Sequence, residues 1–145
     1  MKIDDNAVLK TNKEIEIHAP IDIVWNIQTN INSWANWQPD ITDAILDGSI
    51  EPGTKFEWKS GGFKLHSTLE KVTKNQIIGW RGTGFGVSAI HVWEFNSLEN
   101  GNTMIRTSES MDGLLVKLLK GMMRKKLNES LDTWLSALKN SAESQ

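Results

Sequence analysis

Cysteine is absent from this chain of 145 residues, and so is tyrosine. Without thiols there is no disulfide framework, no thiolate nucleophile and no cysteine-ligated zinc site. No apolar run reaches the roughly 18 residues of a membrane span, so stable membrane insertion is not expected. The opening Met1-Lys2-Ile3-Asp4-Asp5-Asn6 is polar and acidic and lacks the apolar run of a signal peptide. These absences together make the cytoplasm the expected location. Neither sign of charge dominates: 16 basic residues oppose 18 acidic ones for a net charge of −2, which gives no electrostatic case for nucleic acid. No repeat, linker or low-complexity stretch divides the sequence. One domain over residues 1–145 is expected, with residues 1–10 as a loose lead-in.

What is present is aromatic and periodic. Seven Trp and four Phe carry the aromatic content. Glu14 to His18 alternates apolar with polar, as a half-buried strand does. Pro20 suits a first helical turn, and Ile21 to Ile27 reads as a short helix. Between Asn30 and Asp40, Trp34 and Trp37 stand three residues apart and are expected on one face of a second short helix. Strands then follow: Ile41 to Leu46, Thr54 to Lys59 with Phe56 and Trp58 inward, Phe63 to Glu70, Gln76 to Arg81, Val87 to Phe95 and Thr103 to Met111. Ser60-Gly61-Gly62, Lys74-Asn75 and Asn100-Gly101 supply the turns, and Gly82 to Gly86 reads as a flexible link. Short connections make the sheet antiparallel.

The last third changes period. From Leu114 to Lys139 large apolar residues recur at Leu115, Leu118, Leu119, Met122, Met123, Leu127, Leu131, Trp134, Leu135 and Leu138. That spacing predicts one long helix with an apolar stripe against the sheet, capped by Asp112. Sheet and helix are expected to enclose a cavity.

Several segments resemble the polyketide cyclase/dehydrase family of the START-related, birch-pollen-allergen-like superfamily. They are Ala19 to Trp25, Trp34 to Asp40, Gly53 to Trp58, Ala89 to Phe95, Thr107 to Gly113 and Trp134 to Lys139. The resemblance spans residues 12–142. It implies an α+β helix-grip fold, in which a curved seven-stranded antiparallel sheet wraps the C-terminal helix around an internal pocket. Its members include lipid and sterol carriers, hormone receptors and aromatase/cyclases, so function must be argued from the site.

Candidate site residues follow from which side chains would face inward. Trp34, Trp37, Phe56, Trp58, Trp80 and Trp93 are expected to wall the pocket, either stacking on a ligand or filling space. Met111, Met122 and Met123, with Leu115 and Leu119, would form an adaptable wall on the helix side. Phe85 is a candidate plug at the entrance. If residues opposed across the Asn100-Gly101 turn sum to about 200, His91 faces Glu109, and the carboxylate would raise the imidazole pKa and form an acid/base pair. Arg81 and Arg106 read as solvated sheet-face residues, and Lys117, Lys120, Arg124, Lys125 and Lys126 of the last helix as a solvated outer face, with attraction to a membrane surface as the less favoured alternative. The three His lack ligand spacing, so no metal is expected. Gly82 to Gly86 lacks the Lys-Ser/Thr of a phosphate loop, and no other motif requires a cofactor.

The function expected is binding of a small hydrophobic or aromatic molecule, lipid- or polyketide-like, by a monomer or homodimer. An enzyme of cyclase/dehydratase type using His91 and Glu109 is one alternative. A co-chaperone-like interaction module is the other, and it would have a filled core and an exposed apolar patch.

Overall fold

A computed structural model describes residues 1–145. Strand β1 (Leu9–Ile17) is followed by helix α1 (Ile21–Thr29) and a 3-10 helix (Ile31–Asn36). Strands β2 (Ile41–Asp47), β3 (Lys55–Ser60), β4 (Phe63–Thr73), β5 (Ile77–Gly84), β6 (Val87–Ser97) and β7 (Thr103–Asp112) come next, and helices α2 (Leu114–Leu118) and α3 (Lys120–Glu143) close the fold. The seven strands form one antiparallel sheet in the order β1-β7-β6-β5-β4-β3-β2. Its concave face holds the core, and α3 lies across it with α1 alongside.

The core is an aromatic cluster. Trp34 is fully buried, with ring centroids 5.7 Å from Phe56, 5.6 Å from Trp58, 5.6 Å from Trp80 and 5.1 Å from Trp134. Gln28, also buried, ties three elements together: its backbone oxygen accepts from Trp34 Nε1 at 2.9 Å and its Oε1 from Trp134 Nε1 at 3.1 Å. The indole N–H groups of Trp34 and Trp134 thus both find an acceptor on one buried residue, as burial demands.

Five expectations are corrected. The last helix is not continuous: Leu119, at φ −118° and ψ 34°, separates α2 from α3. Val116 anchors α2 on β6 and β7, whereas α3 packs against β1 and α1, so the two segments serve different partners and cannot share one axis. Asp112 does not cap the helix. Its carboxylate accepts the Val8 N–H at 3.0 Å, and Gly113 at φ +128° starts α2. Gly113 is glycine for a second reason: a Cβ there would lie 2.1 Å from the Gly86 carbonyl oxygen.

Residues 1–8 are not loose. Asp4 N–H donates to Ser110 Oγ at 3.0 Å on the convex face, and the Met1 sulfur fills the space above Gly79. The Gly82 to Gly86 segment is not a flexible link either. Strand β5 runs to Gly84, and Phe85-Gly86 is a two-residue turn with φ of +53° and +70°. The strand glycines serve close approach, since a Cβ on Gly82 would meet Ser67 Oγ at 2.5 Å and one on Gly84 the Lys64 carbonyl at 2.7 Å. Finally, Trp34 and Trp37 do not share a face. The short helix is 3-10 and ends at Asn36, leaving Trp37 half-buried on the far side by Ala137 and Ser141.

Candidate functional site

The Asn100-Gly101 hairpin pairs His91 with Glu109 and Trp93 with Thr107. Because side chains alternate along a strand, the same register turns His91, Glu109 and Met111 to the concave face. There they meet the helix at Leu127, Leu131 and Trp134 around a cavity of about 170 Å³. Trp58 and Trp80 form its inner wall, and Ser67 contributes a hydroxyl from β4. The cavity reaches solvent between the tips of β3–β6 and α3, beside the exposed Thr83 and Lys126.

Other sequence candidates lie outside this lining. Trp34, Phe56 and Trp93 fill the interior behind it, and Trp37 is on the opposite side of α3. Phe85 stands 68% exposed at the hairpin tip, stacked edge-on against Phe63 at 4.8 Å, rather than plugging the entrance. Leu115, Leu119, Met122 and Met123 are also outside the lining, because the break at Leu119 carries the first part of the stripe away from the concave face. Arg81 lies on the convex face and pairs with Glu70 at 2.7 Å. Conversely Ser67, Thr107, Lys126 and Ser130 were not singled out. Ser67 had a signal, since strand alternation placed it inward; Thr107 had one in its pairing with Trp93.

The polar end of the cavity is unusual in its protonation. His91 is 2% exposed and Glu109 is 9% exposed. Burial pushes His91 down to about 3 and Glu109 up to about 8. The expected raising of the His91 pKa is therefore overturned. At 3.6 Å the carboxyl is too far for a strong hydrogen bond, and the cost of removing charge from water outweighs the pair's attraction. At neutral pH the site holds a neutral imidazole beside a protonated carboxylic acid.

Their hydrogen bonds are incomplete. His91 Nε2 lies 2.8 Å from Thr107 Oγ1, which orients the ring. His91 Nδ1 has no partner, nor does Trp93 Nε1 behind it. Buried polar atoms are normally paired, so an unpartnered ring nitrogen beside a cavity marks a place for a polar atom of a guest. Thr107→Val is expected to leave Nε2 unpaired as well and to destabilise the fold by about 1–3 kcal/mol. Urea unfolding measures this; an unchanged midpoint would mean the hydroxyl does not hold the ring.

A curved sheet gripping a C-terminal helix, with a polar-tipped cavity between them, defines the helix-grip, START-like fold. The chain belongs to the family described as polyketide cyclase / dehydrase and lipid transport, whose profile matches residues 9–143. Solved structures agree on the fold. A hypothetical protein from Helicobacter pylori superimposes with a TM-score of 0.83 at 20% identity, over 95% of this chain and 90% of that one. A START superfamily protein from Mycobacterium smegmatis gives 0.81 at 14% identity, covering 93% and 97%. The Zhui aromatase/cyclase from a Streptomyces species gives 0.81 at 14% identity, covering 93% of each chain. No match emerged among curated protein sequences. Family and fold suggest a ligand-binding or cyclase role. No helix is long and apolar enough to cross a membrane.

Proposed function

We infer that the cavity binds a compact neutral molecule, mostly apolar, with a carbonyl or hydroxyl at its inner end. The observation that carries this reading is the unpartnered His91 Nδ1 beside a protonated Glu109, in a cavity whose walls are Trp58, Trp80, Leu127, Leu131 and Trp134 with the Ser67 and Ser130 hydroxyls among them. A neutral carboxyl both donates and accepts, and a neutral imidazole offers one nitrogen, so together they suit a carbonyl or hydroxyl. No cation stands at the inner end to neutralise an anion. Lys126 is at the mouth. The volume of about 170 Å³ favours a guest of about one ring, since a cavity of about 150 Å³ accommodates benzene. A larger polyketide- or lipid-like guest requires the hairpin tips and α3 to part.

Calorimetric titration with acetophenone and with benzoate tests this. The ketone is expected to bind at least about tenfold more tightly than the anion, the difference one unpaired buried charge produces. Leu131→Trp should fill the cavity and abolish binding while the fold persists. Equal affinities, or binding indifferent to Leu131→Trp, would sink the reading.

One observation favours a second reading. A protonated carboxyl whose pKa burial raises to about 8, at a cavity wall and 3.6 Å from an imidazole, is a general acid matched to neutral pH, a part that a cyclase or dehydratase needs. An aromatase/cyclase is among the structures sharing this fold. If the site is catalytic, Glu109→Gln should abolish turnover of an aryl polyketide substrate with its binding retained. A carrier would lose affinity alone. The interaction-module reading requires a filled core, and the cavity with its unpartnered polar atom weighs against it.

A further inference from the structure

The cavity mouth is flanked by a surface that the proposed binding function does not use. Leu114 and Leu118, each 71% exposed, project from α2, and Met122 at 49% and Leu119 at 39% continue the ridge into α3. Gly113 abuts the Gly86 carbonyl, so the exposed Phe85 of the adjoining turn stands next to the start of this ridge. Apolar exposure of this extent on one contiguous element marks a docking surface.

Charge is segregated to the same place. From Gly113 to Asn128 there are five basic residues, Lys117, Lys120, Arg124, Lys125 and Lys126, and no Asp or Glu. All five are exposed, and the ion pairs of the chain lie elsewhere. The molecule as a whole is acidic, so this cationic segment is a local reversal.

We propose that α2 and the first turns of α3 dock on an anionic lipid surface, with the leucine ridge entering the headgroup layer. Three features select a membrane over a protein partner. The apolar residues are aliphatic and project outward, whereas protein interfaces concentrate Trp, Tyr and Arg in packed pockets. Four of the five cations are Lys, a residue depleted at protein interfaces and effective against anionic headgroups. The surface also borders the cavity opening, since Lys126 belongs to both, so an apolar guest would pass between cavity and bilayer without crossing water. The docking holds whether the cavity carries or converts its guest.

Sedimentation of the full chain with vesicles tests this. The protein should co-sediment with equimolar phosphatidylcholine and phosphatidylserine and stay free with phosphatidylcholine alone. Salt at about 1 M, where the screening length falls to about 3 Å, should release it. Lys117→Gln, Lys120→Gln and Arg124→Gln together should weaken partitioning about a hundredfold, each charge contributing about fivefold. Leu114→Ser with Leu118→Ser should weaken it at least tenfold at unchanged thermal stability, because these side chains are exposed. No binding to anionic vesicles, or binding that both variants leave intact, would overturn the proposal. So would a dimer that either variant disperses in analytical ultracentrifugation, which would assign the surface to a second copy. Capture by polyglutamate that survives the leucine substitutions, with no vesicle binding, would assign it to an acidic protein.

Discussion

Trp34→Ala is expected to cost about 3–5 kcal/mol of folding stability, the range for truncating a fully buried aromatic. Its side chain is the hub of the interior, within 5.7 Å of four other aromatic rings from β3, β5 and α3. Edge-on contacts of this kind add to the area burial. Truncation also leaves the Gln28 carbonyl without its indole donor. A domain of this size typically has only about 5–15 kcal/mol in hand, so the variant should be close to unfolding at body temperature. Trp37→Ala, at a half-buried position on the far side, should cost about 1 kcal/mol or less. Urea unfolding of the two variants, followed by near-ultraviolet circular dichroism, compares them directly. Equal costs would mean that the aromatic cluster does not organise the core.

Stability should pass through a plateau in pH, and the sign follows from the two buried groups. Glu109 is raised from 4.5 to about 8 in the folded state, so above pH 4.5 the folded state holds a proton the unfolded chain has released. His91 is lowered from 6.5 to about 3, so below pH 6.5 the unfolded chain holds a proton the folded state lacks. Between pH 4.5 and 6.5 the two differences cancel. Above pH 6.5 only the carboxyl difference remains, and stability falls until about pH 8, by about 2 kcal/mol at about 1.4 kcal/mol per unit. Below pH 4.5 only the imidazole difference remains, and stability falls as pH drops toward 3. Other carboxylates overlay that acid limb, so the alkaline limb is the cleaner test. Glu109→Gln removes the titrating group and should abolish the fall between pH 6.5 and 8. A Glu109→Gln midpoint that still drops there would show that the fall comes from another group and not from Glu109.

Both effects depend on residues visible in the sequence, but not visible in the same way. The strands were legible because a period of two and an Asn-Gly turn leave little freedom of register. From Asn100-Gly101 alone, His91 opposes Glu109, and the structure has that pairing. Glycines were harder to read, because one residue type serves flexibility and close approach alike. Gly82 and Gly84 suggested a link, yet they lie within a strand where Ser67 and a backbone carbonyl leave no room for a Cβ. The aromatic residues showed that the interior would be built on rings. They did not show which rings line a space and which fill it: Trp58 and Trp80 face the cavity, while Trp34 and Trp93 do not.

By itself, the sequence determined the antiparallel hairpins, the amphipathic C-terminal region and the opposition of His91 to Glu109; that both face inward, and that β1 lies beside β7, came from the structure. The hairpins, the amphipathic region and the opposition follow from local periodicity and turn chemistry, which act over a few residues. Only the tertiary structure decided where the helix breaks, which half of its apolar stripe covers the cavity and which half stays in solvent. It also decided that the buried pair would be neutral rather than ionic. Periodicity says that a face is apolar but not what lies opposite it, and a pKa depends on how much water the packed neighbours exclude.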